Sequence, residues 1–304
     1  MAKKQLVFGT DPEFFASYTK EGKEYVLPPA WFRVYGKVPY YPDVKHPVFL
    51  DAMEKEGVII MEDGVAFEET IRPSTDWKEL FERVQFGKKL LSDHILSKFP
   101  NDCNPEVSTI PTINYETERW TKEEKEFQMC LIFGCDQDFD ADDYNAPGKV
   151  IDAKKHPYRY GGGHIHVSGS RIIKEEPLLS IQCLKLTAGL AYVAFSDVPE
   201  LDKLRTYLYG RPAKYREQHY KGYFNKLPFT KDGIEYRTPS NRWTNSIDHA
   251  TQLFKWVEIG IRNLLEGKLG LELIPVIGND ASDAIINCNQ EKARDLLAYV
   301  ENRL

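Results

Sequence analysis

The feature that most constrains this chain is one spacing that occurs three times. Asp11-Pro-Glu13, His164-Ile-His166 and Glu235-Tyr-Arg237 each place two polar, charge-bearing side chains at i and i+2. On a β-strand that spacing sends both side chains to the same face of a sheet. A single pair describes the solvated face of any amphipathic strand. Three pairs made of metal- or phosphate-competent groups are harder to assign to solvent, and Gly161-Gly-Gly163 beside one of them lets the backbone approach something closely. The pattern predicts a sheet with one chemically active face.

Strand-type residues bounded by Gly, Pro or Asp cover Gln5–Tyr18, Val58–Met61, Val65–Ile71, Gly163–Gly169 and Gly233–Thr238. Glu62-Asp63-Gly64 between two apolar runs predicts a hairpin turn. Asp76 with Glu79 three residues on predicts a capped helix start. Trp77, Leu80, Phe81, Val84, Leu91 and Ile95 then follow at helical spacing until Pro100. Pro177 to about Ser196 is apolar on nearly every side and predicts a central buried helix. Ser246 to about Gly267 and Gln290–Arg303 predict two more helices, while Tyr25–His46 reads as a long loop or edge segment. Strands, then helix, then strands again point to α+β with an antiparallel or mixed sheet. With no repeat and no Gly/Ser linker, residues 1–304 read as a single domain.

Charge narrows the function classes. Forty Lys and Arg against 46 Asp and Glu leave a net charge of −6, which argues against a general nucleic-acid binder. The N-terminal apolar run is too short for a secretory signal and no window approaches ~20 apolar residues, so the expectation is a cytoplasmic protein without a membrane partner. Cys103, Cys130, Cys135, Cys183 and Cys288 form no Cys-x-x-Cys pair and read as reduced, mostly buried thiols.

On the hairpin, Asp63 lies at the turn and Ala66, Glu68 and Thr70 share a face, with Glu69 opposite beside Val65 and Phe67. Asp11, Glu13, Asp63, Glu68, Glu235 and one or two histidines make a carboxylate-rich set with little sulfur. Such donors select Mg²⁺ or Mn²⁺ over a structural zinc, with one His joining the carboxylates; a His-x-His zinc site is the alternative. Carboxylates this dense repel one another unless a cation or arginine neutralises them. Lys203–Lys226 holds seven Lys or Arg against Glu217, with tyrosines at 207, 209, 215, 220 and 223. A basic surface loop accounts for that segment alone; beside the carboxylates it suits Mg-nucleotide phosphoryl transfer. Asp136-Gln-Asp138-Phe-Asp140 starts like a calcium loop but has Ala141 and Pro147 where Gly and Glu are needed. There is no Walker loop, Gly-x-Gly-x-x-Gly or Gly-x-Ser-x-Gly.

Four blocks in order resemble the phage-type carboxylate–amine ligases of the glutamine synthetase and glutamate–cysteine ligase superfamily. They are Phe8-Gly-Thr-Asp11-Pro-Glu13-Phe, Glu62-Asp63-Gly64-Val-Ala-Phe-Glu68, Gly162-Gly163-His164-Ile-His166-Val and Gly233-Ile-Glu235-Tyr-Arg237-Thr-Pro-Ser240-Asn-Arg-Trp243. Asp138–Asn145 is similar to a further block. The resemblance implies a curved, mostly antiparallel sheet with a polar concave face, backed by helices. It implies that ATP phosphorylates a carboxylate and that an amine displaces phosphate to give an amide. Asp11, Glu13, Asp63, Glu68, His164 and Glu235 would hold Mg²⁺ (or Mn²⁺), and Arg205, Arg216, Arg237 and His166 would contact the ATP phosphates. The three arginines would also meet the charge on the transferred group, and the tyrosine-rich 207–223 stretch would serve as a lid. The acid is a small molecule, peptide or nucleotide, a homo-oligomer is allowed, and a phage chain would work in the host cytoplasm. Departures lie at Gly210-Arg-Pro-Ala-Lys-Tyr215-Arg216 and at Arg242, both where substrate would bind. The rivals are a same-fold guanidino or carboxylate kinase, a metal-dependent hydrolase using the His-x-His pair, and an inactive binding protein.

Overall fold

The computed structural model describes residues 6–32, 52, 55–98, 105–114, 138–143, 152–153, 155–219, 232–269 and 272–304. The first half runs β1 (Val7–Thr10), β2 (Glu13–Lys20), β3 (Lys23–Leu27), β4 (Val58–Asp63), β5 (Ala66–Ile71), α1 (Trp77–Leu96), β6 (Pro105–Ser108), β7 (Thr112–Asn114) and β8 (Phe139–Asp140). It continues through β9 (Tyr158–Tyr160), β10 (Ile165–Ser168), α2 (Arg171–Glu175), α3 (Pro177–Leu184), α4 (Leu190–Ala194) and α5 (Pro199–Leu208). Then come β11 (Lys214–His219), β12 (Asp232–Tyr236), α6 (Ile247–Leu265), α7 (Leu273–Ile286) and α8 (Gln290–Glu301). The class is α+β, and every described strand pairing is antiparallel.

Two sheets carry the architecture. One has the order β1-β10-β12-β11-β8; the other runs β3-β2-β5-β4 with β6 also on β2. The predicted single strand Gln5–Tyr18 is broken at Asp11-Pro12, and its halves enter different sheets. Pro12 has no N–H to give a ladder, so the break falls where the chemistry requires one. The corner is pinned from both sides: Glu69 N–H donates to the Pro12 carbonyl at 2.9 Å and Glu13 N–H to the Gly162 carbonyl at 2.8 Å.

Each sheet packs one face on the core. Phe14, Val58, Ile60, Phe67 and Ile71 join Leu80, Val84 and Leu91 of α1 in the core, and Ile165, Val167, Ile234 and Tyr236 meet the later helices in the same cluster. Helix α1 starts as its sequence predicts, with Asp76 accepting from Lys78 N–H at 2.9 Å. The predicted central helix is α3 and α4 joined by a π-helical turn, Lys185–Gly189. Gly189 sits so close to the Tyr236 hydroxyl that a Cβ would not fit. Pro177–Ala194 is long and apolar enough to cross a bilayer, yet 78% of it is buried inside the fold, so here it is a core helix.

Helices α5 and α7 appear where sequence gave no helix. The basic segment is a helix followed by an interior strand rather than a loop, and residues 220–226 lie outside the described residues. Of Tyr25–His46, residues 25–27 extend β3 and Pro29–Phe32 form a short 3₁₀ turn; 33–46 lie outside the described residues. Cys183 and Cys288 are buried free thiols, pushed up to about 12 by burial. The other three cysteines lie outside the described residues.

Candidate functional site

The polar face of the first sheet carries one cross-strand row: His166 opposite Glu235, and Glu235 opposite Arg216. Directly opposed residues on neighbouring strands share a face, so the three side chains stand on one surface. Asp11 comes to this row from the corner. Its Oδ1 lies 3.0 Å from His164 Nδ1 and 3.1 Å from His166 Nε2, so both histidines of the His-x-His pair converge on one carboxylate oxygen. Glu235 Oε1 lies 3.4 Å from the same His164 nitrogen and accepts from Arg237.

These contacts set the charges. Burial alone would raise the Asp11 carboxyl, but His166 and His164 outweigh it and hold Asp11 well below the usual carboxylate range. Burial likewise opposes ionisation of Glu235, and Arg237 overcomes it, leaving Glu235 lowered. His166 moves the other way: burial disfavours its proton, and Asp11 more than restores it.

The second sheet supplies the remaining acids. Glu13 of β2 is paired with Glu68 of β5, and Glu68 with Met61 of β4, two residues before Asp63. That register puts Glu13, Glu68 and Asp63 on one face and Glu62 and Glu69 on the other, the facing predicted for Glu68 and Glu69. Glu69 is fully buried against α1 with neither oxygen hydrogen-bonded, and burial lifts its carboxyl well above the usual range.

The five acids and one histidine read as metal ligands therefore gather as two triads. Asp11, His164 and Glu235 each offer a ligand atom within 4.8 Å of the others, and so do Glu13, Asp63 and Glu68. The corner Asp11-Pro12-Glu13 contributes one member to each. Tyr209 joins them: its hydroxyl donates to Glu13 Oε1 at 3.2 Å, lies 3.3 Å from His164 Nε2, and accepts from Arg237 Nη2 at 2.8 Å.

The glycine run has a specific use. Gly162 N–H donates to Glu13 Oε2 at 2.7 Å, and an added Cβ there would collide with His164 Nε2. The close approach implied by the sequence is to the segment after β12: Asn241 Nδ2 donates to the Glu13 carbonyl at 2.7 Å and Trp243 Nε1 to the Gly163 carbonyl at 2.9 Å.

The basic residues divide. Arg237 is buried inside the site, Arg216 stands half-buried on the polar row, and buried His166 stands in the same row across Glu235. Arg205, expected at phosphate, is fully buried with its guanidinium on main chain: Nη1 donates to the Thr238 carbonyl at 2.5 Å and Nη2 to the Arg237 carbonyl at 3.1 Å. Its place is to fix the Arg237 backbone. Sequence reading missed Tyr209 as a site residue, naming it only in a lid, and gave no role to Asp138. Asp138 Oδ2 lies 3.6 Å from Arg237 Nε and its Oδ1 3.2 Å from Lys214 Nζ. The Gly after Tyr209 was the available signal: Gly210 has φ +67° and no room for a Cβ against Arg205. Tyr220 and Tyr223 lie outside the described residues.

No protein-family model matches the chain, and no curated protein matches it. Among solved structures it is similar to a "novel glutamine synthase homolog", at 12% identity and a TM-score of 0.44, over 97% of this chain and 67% of that one. A likeness this distant carries no functional argument, and the case for a function rests on the site itself.

Proposed function

We propose that the chain is an ATP- and Mg²⁺-dependent carboxylate–amine ligase of the glutamine synthetase-like kind, forming an amide through an acyl phosphate. The observation that supports this reading most is the pair of ligand triads joined by one three-residue corner, with Arg237 and Tyr209 between them. Two adjacent cation sites beside a buried arginine suit a triphosphate better than they suit a single hydrolytic metal.

The donor set fits the group. Five of the six ligands are carboxylates and one is imidazole, the preference of a hard divalent ion. Glu13, Asp63 and Glu68 bring three buried carboxylates within 4.8 Å of one another, and Glu13 itself is hydrogen-bonded by an amide and a phenol. A divalent cation held there would be bound by carboxylate oxygens and would neutralise phosphate oxygens.

In this reading Arg237 presents its guanidinium to the transferred phosphoryl group, held by Glu235 and by Arg205 through the backbone. Arg216 and His166 flank Glu235 on the polar row and contact phosphate oxygens. Tyr209 orients Glu13 and covers the joint between the triads, excluding water from an intermediate that hydrolyses readily. Mn²⁺ is an acceptable substitute for Mg²⁺. The acid is a small molecule, a peptide or a nucleotide.

The test is phosphate release from ATP with Mg²⁺, across carboxylic acids crossed with amines. Release that requires both partners, with an amide product, supports the ligase. Release without an amine marks a phosphotransferase instead. Hydrolysis without nucleotide marks a metal-dependent hydrolase, and an absence of nucleotide binding by calorimetry would sink the proposal.

A further inference from the structure

Asp138 faces two cations at once. Lys214 and Arg216 flank buried Tyr215 on β11, and Glu235 and Arg237 flank buried Tyr236 at the end of β12, so all four stand on the polar face. Tyr215 and Tyr236 are register partners, and Arg237 N–H donates to the Lys214 carbonyl at 2.9 Å. Two positive side chains therefore rise side by side from adjacent strands, an arrangement that repels unless an anion sits between them. Asp138 supplies it, with Oδ1 3.2 Å from Lys214 Nζ and Oδ2 3.6 Å from Arg237 Nε. Each carboxylate oxygen faces one cation.

The Asp138 contact completes a set around Arg237. Glu235 meets Nη1, Tyr209 meets Nη2 and Asp138 meets Nε. A guanidinium is a rigid plane, so contacts at all three nitrogens set its tilt as well as the position of its end. Arg205 holds the main chain of the same residue through its carbonyl.

The segment that carries Asp138 is fastened by other groups. Ala141 N–H donates to the Ala213 carbonyl at 3.0 Å, Gln182 Nε2 to the Ala141 carbonyl at 2.9 Å and Lys185 Nζ to Asp142 Oδ1 at 2.6 Å. Asp140 is the register partner of Lys214, with Oδ2 3.8 Å from Nζ. From Asp140 onward the segment is thus pinned to the sheet edge and to the π-helical turn, and its place does not depend on the Asp138 carboxylate. That carboxylate is left to act on the side chains it faces.

We propose that Asp138 is a positioning residue for Arg237, keeping Lys214 apart from it and fixing the plane in which its guanidinium is presented to the polar face. Only the turnover part of the test rests on the ligase reading. The first part follows the Nε–Hε resonance of Arg237 by nitrogen-15 NMR in the full chain without nucleotide, the signal being assigned by its loss in Arg237→Lys. Asp138→Asn keeps the shape and removes the charge, and should speed exchange of that proton with water at least roughly tenfold. Asp140→Asn, whose described ion pair is with Lys214, should leave the rate within about twofold. A parental rate in Asp138→Asn, or equal acceleration in both variants, would overturn the proposal. If Asp138→Asn fails to fold, Lys214→Met reads the same contact from the other side: with the second cation gone, exchange at Arg237 should slow, and an unchanged or faster rate would overturn it.

In turnover, Asp138→Asn should lower kcat about tenfold with KM for ATP within about twofold, and Asp138→Glu, which restores the charge, should recover most of the loss. Unchanged kcat in Asp138→Asn would remove Asp138 from the positioning of Arg237. A parent chain that turns over no ATP would instead fail the ligase reading, and the exchange rates would still decide the place of Asp138.

Discussion

Glu13 and Glu68 stand directly opposite each other on β2 and β5, two buried carboxylates at one register position of neighbouring antiparallel strands. Like charges so placed destabilise a sheet unless something sits between them. Asp63 brings a third carboxylate to the same place.

Glu13→Gln and Glu68→Gln are therefore expected to weaken Mn²⁺ or Mg²⁺ binding on the order of tenfold or more. Thermal unfolding with and without Mn²⁺ reads the effect. An unchanged metal-induced rise in Tm would show that the triad holds no cation.

Arg237 grips Glu235 and Tyr209 with separate nitrogens. Lysine keeps the charge but not the fork, so Arg237→Lys should reduce turnover about 100-fold while KM for ATP moves little. Full activity in Arg237→Lys would remove Arg237 from the reaction.

Glu62 gives a pH prediction. Burial first, then neighbouring Asp63, raise its carboxyl from 4.5 to about 7. The neutral form is favoured in the fold, so its contribution is fully present below pH 4.5 and lost as pH rises to about 7, on the order of 2–3 kcal/mol in all. Glu62→Gln should match the parent near pH 4.5 and exceed it in stability at pH 8. Urea unfolding at the two pH values, with chelator present, checks the sign; a constant difference would contradict it.

Lys185 is buried in the π-helical turn with Asp142 Oδ1 2.6 Å from its ammonium. Asp142→Ala strands that charge and should cost about 3 kcal/mol. Adding Lys185→Met should restore most of the loss, since an apolar side chain needs no partner there. If the double variant is no more stable than the single one in urea unfolding, the pair is not what holds this corner.

Much of this was legible in local sequence. Period-two alternation put Glu68 on the site face and Glu69 in the core, and Asp76 capped its helix, because each depends only on neighbours along the chain. Pro12 differs from expectation: its i, i+2 neighbours suggest one strand, whereas the ring breaks the ladder, and the strand ending at Thr10 and the strand starting at Glu13 enter different sheets. Helix α7 carries Pro275 and Gly278, which weaken its helical signal in sequence, though a proline in the first turn removes no helical hydrogen bond. Arg205 was beyond reach, since its fate turns on carbonyls 32 and 33 residues away. Tyr209 was equally so; Glu13 is 196 residues distant.

The corner has a mechanical consequence. Asp11 and Glu13 are separated by a single residue, so their α-carbons stand no more than about 7 Å apart whatever the rest of the molecule does. The gap between the two triads is gauged by covalent bonds, while side-chain packing governs only how firmly each is closed. Variation in the surrounding helices should thus tune how tightly the two halves of the centre grip, and leave their spacing untouched.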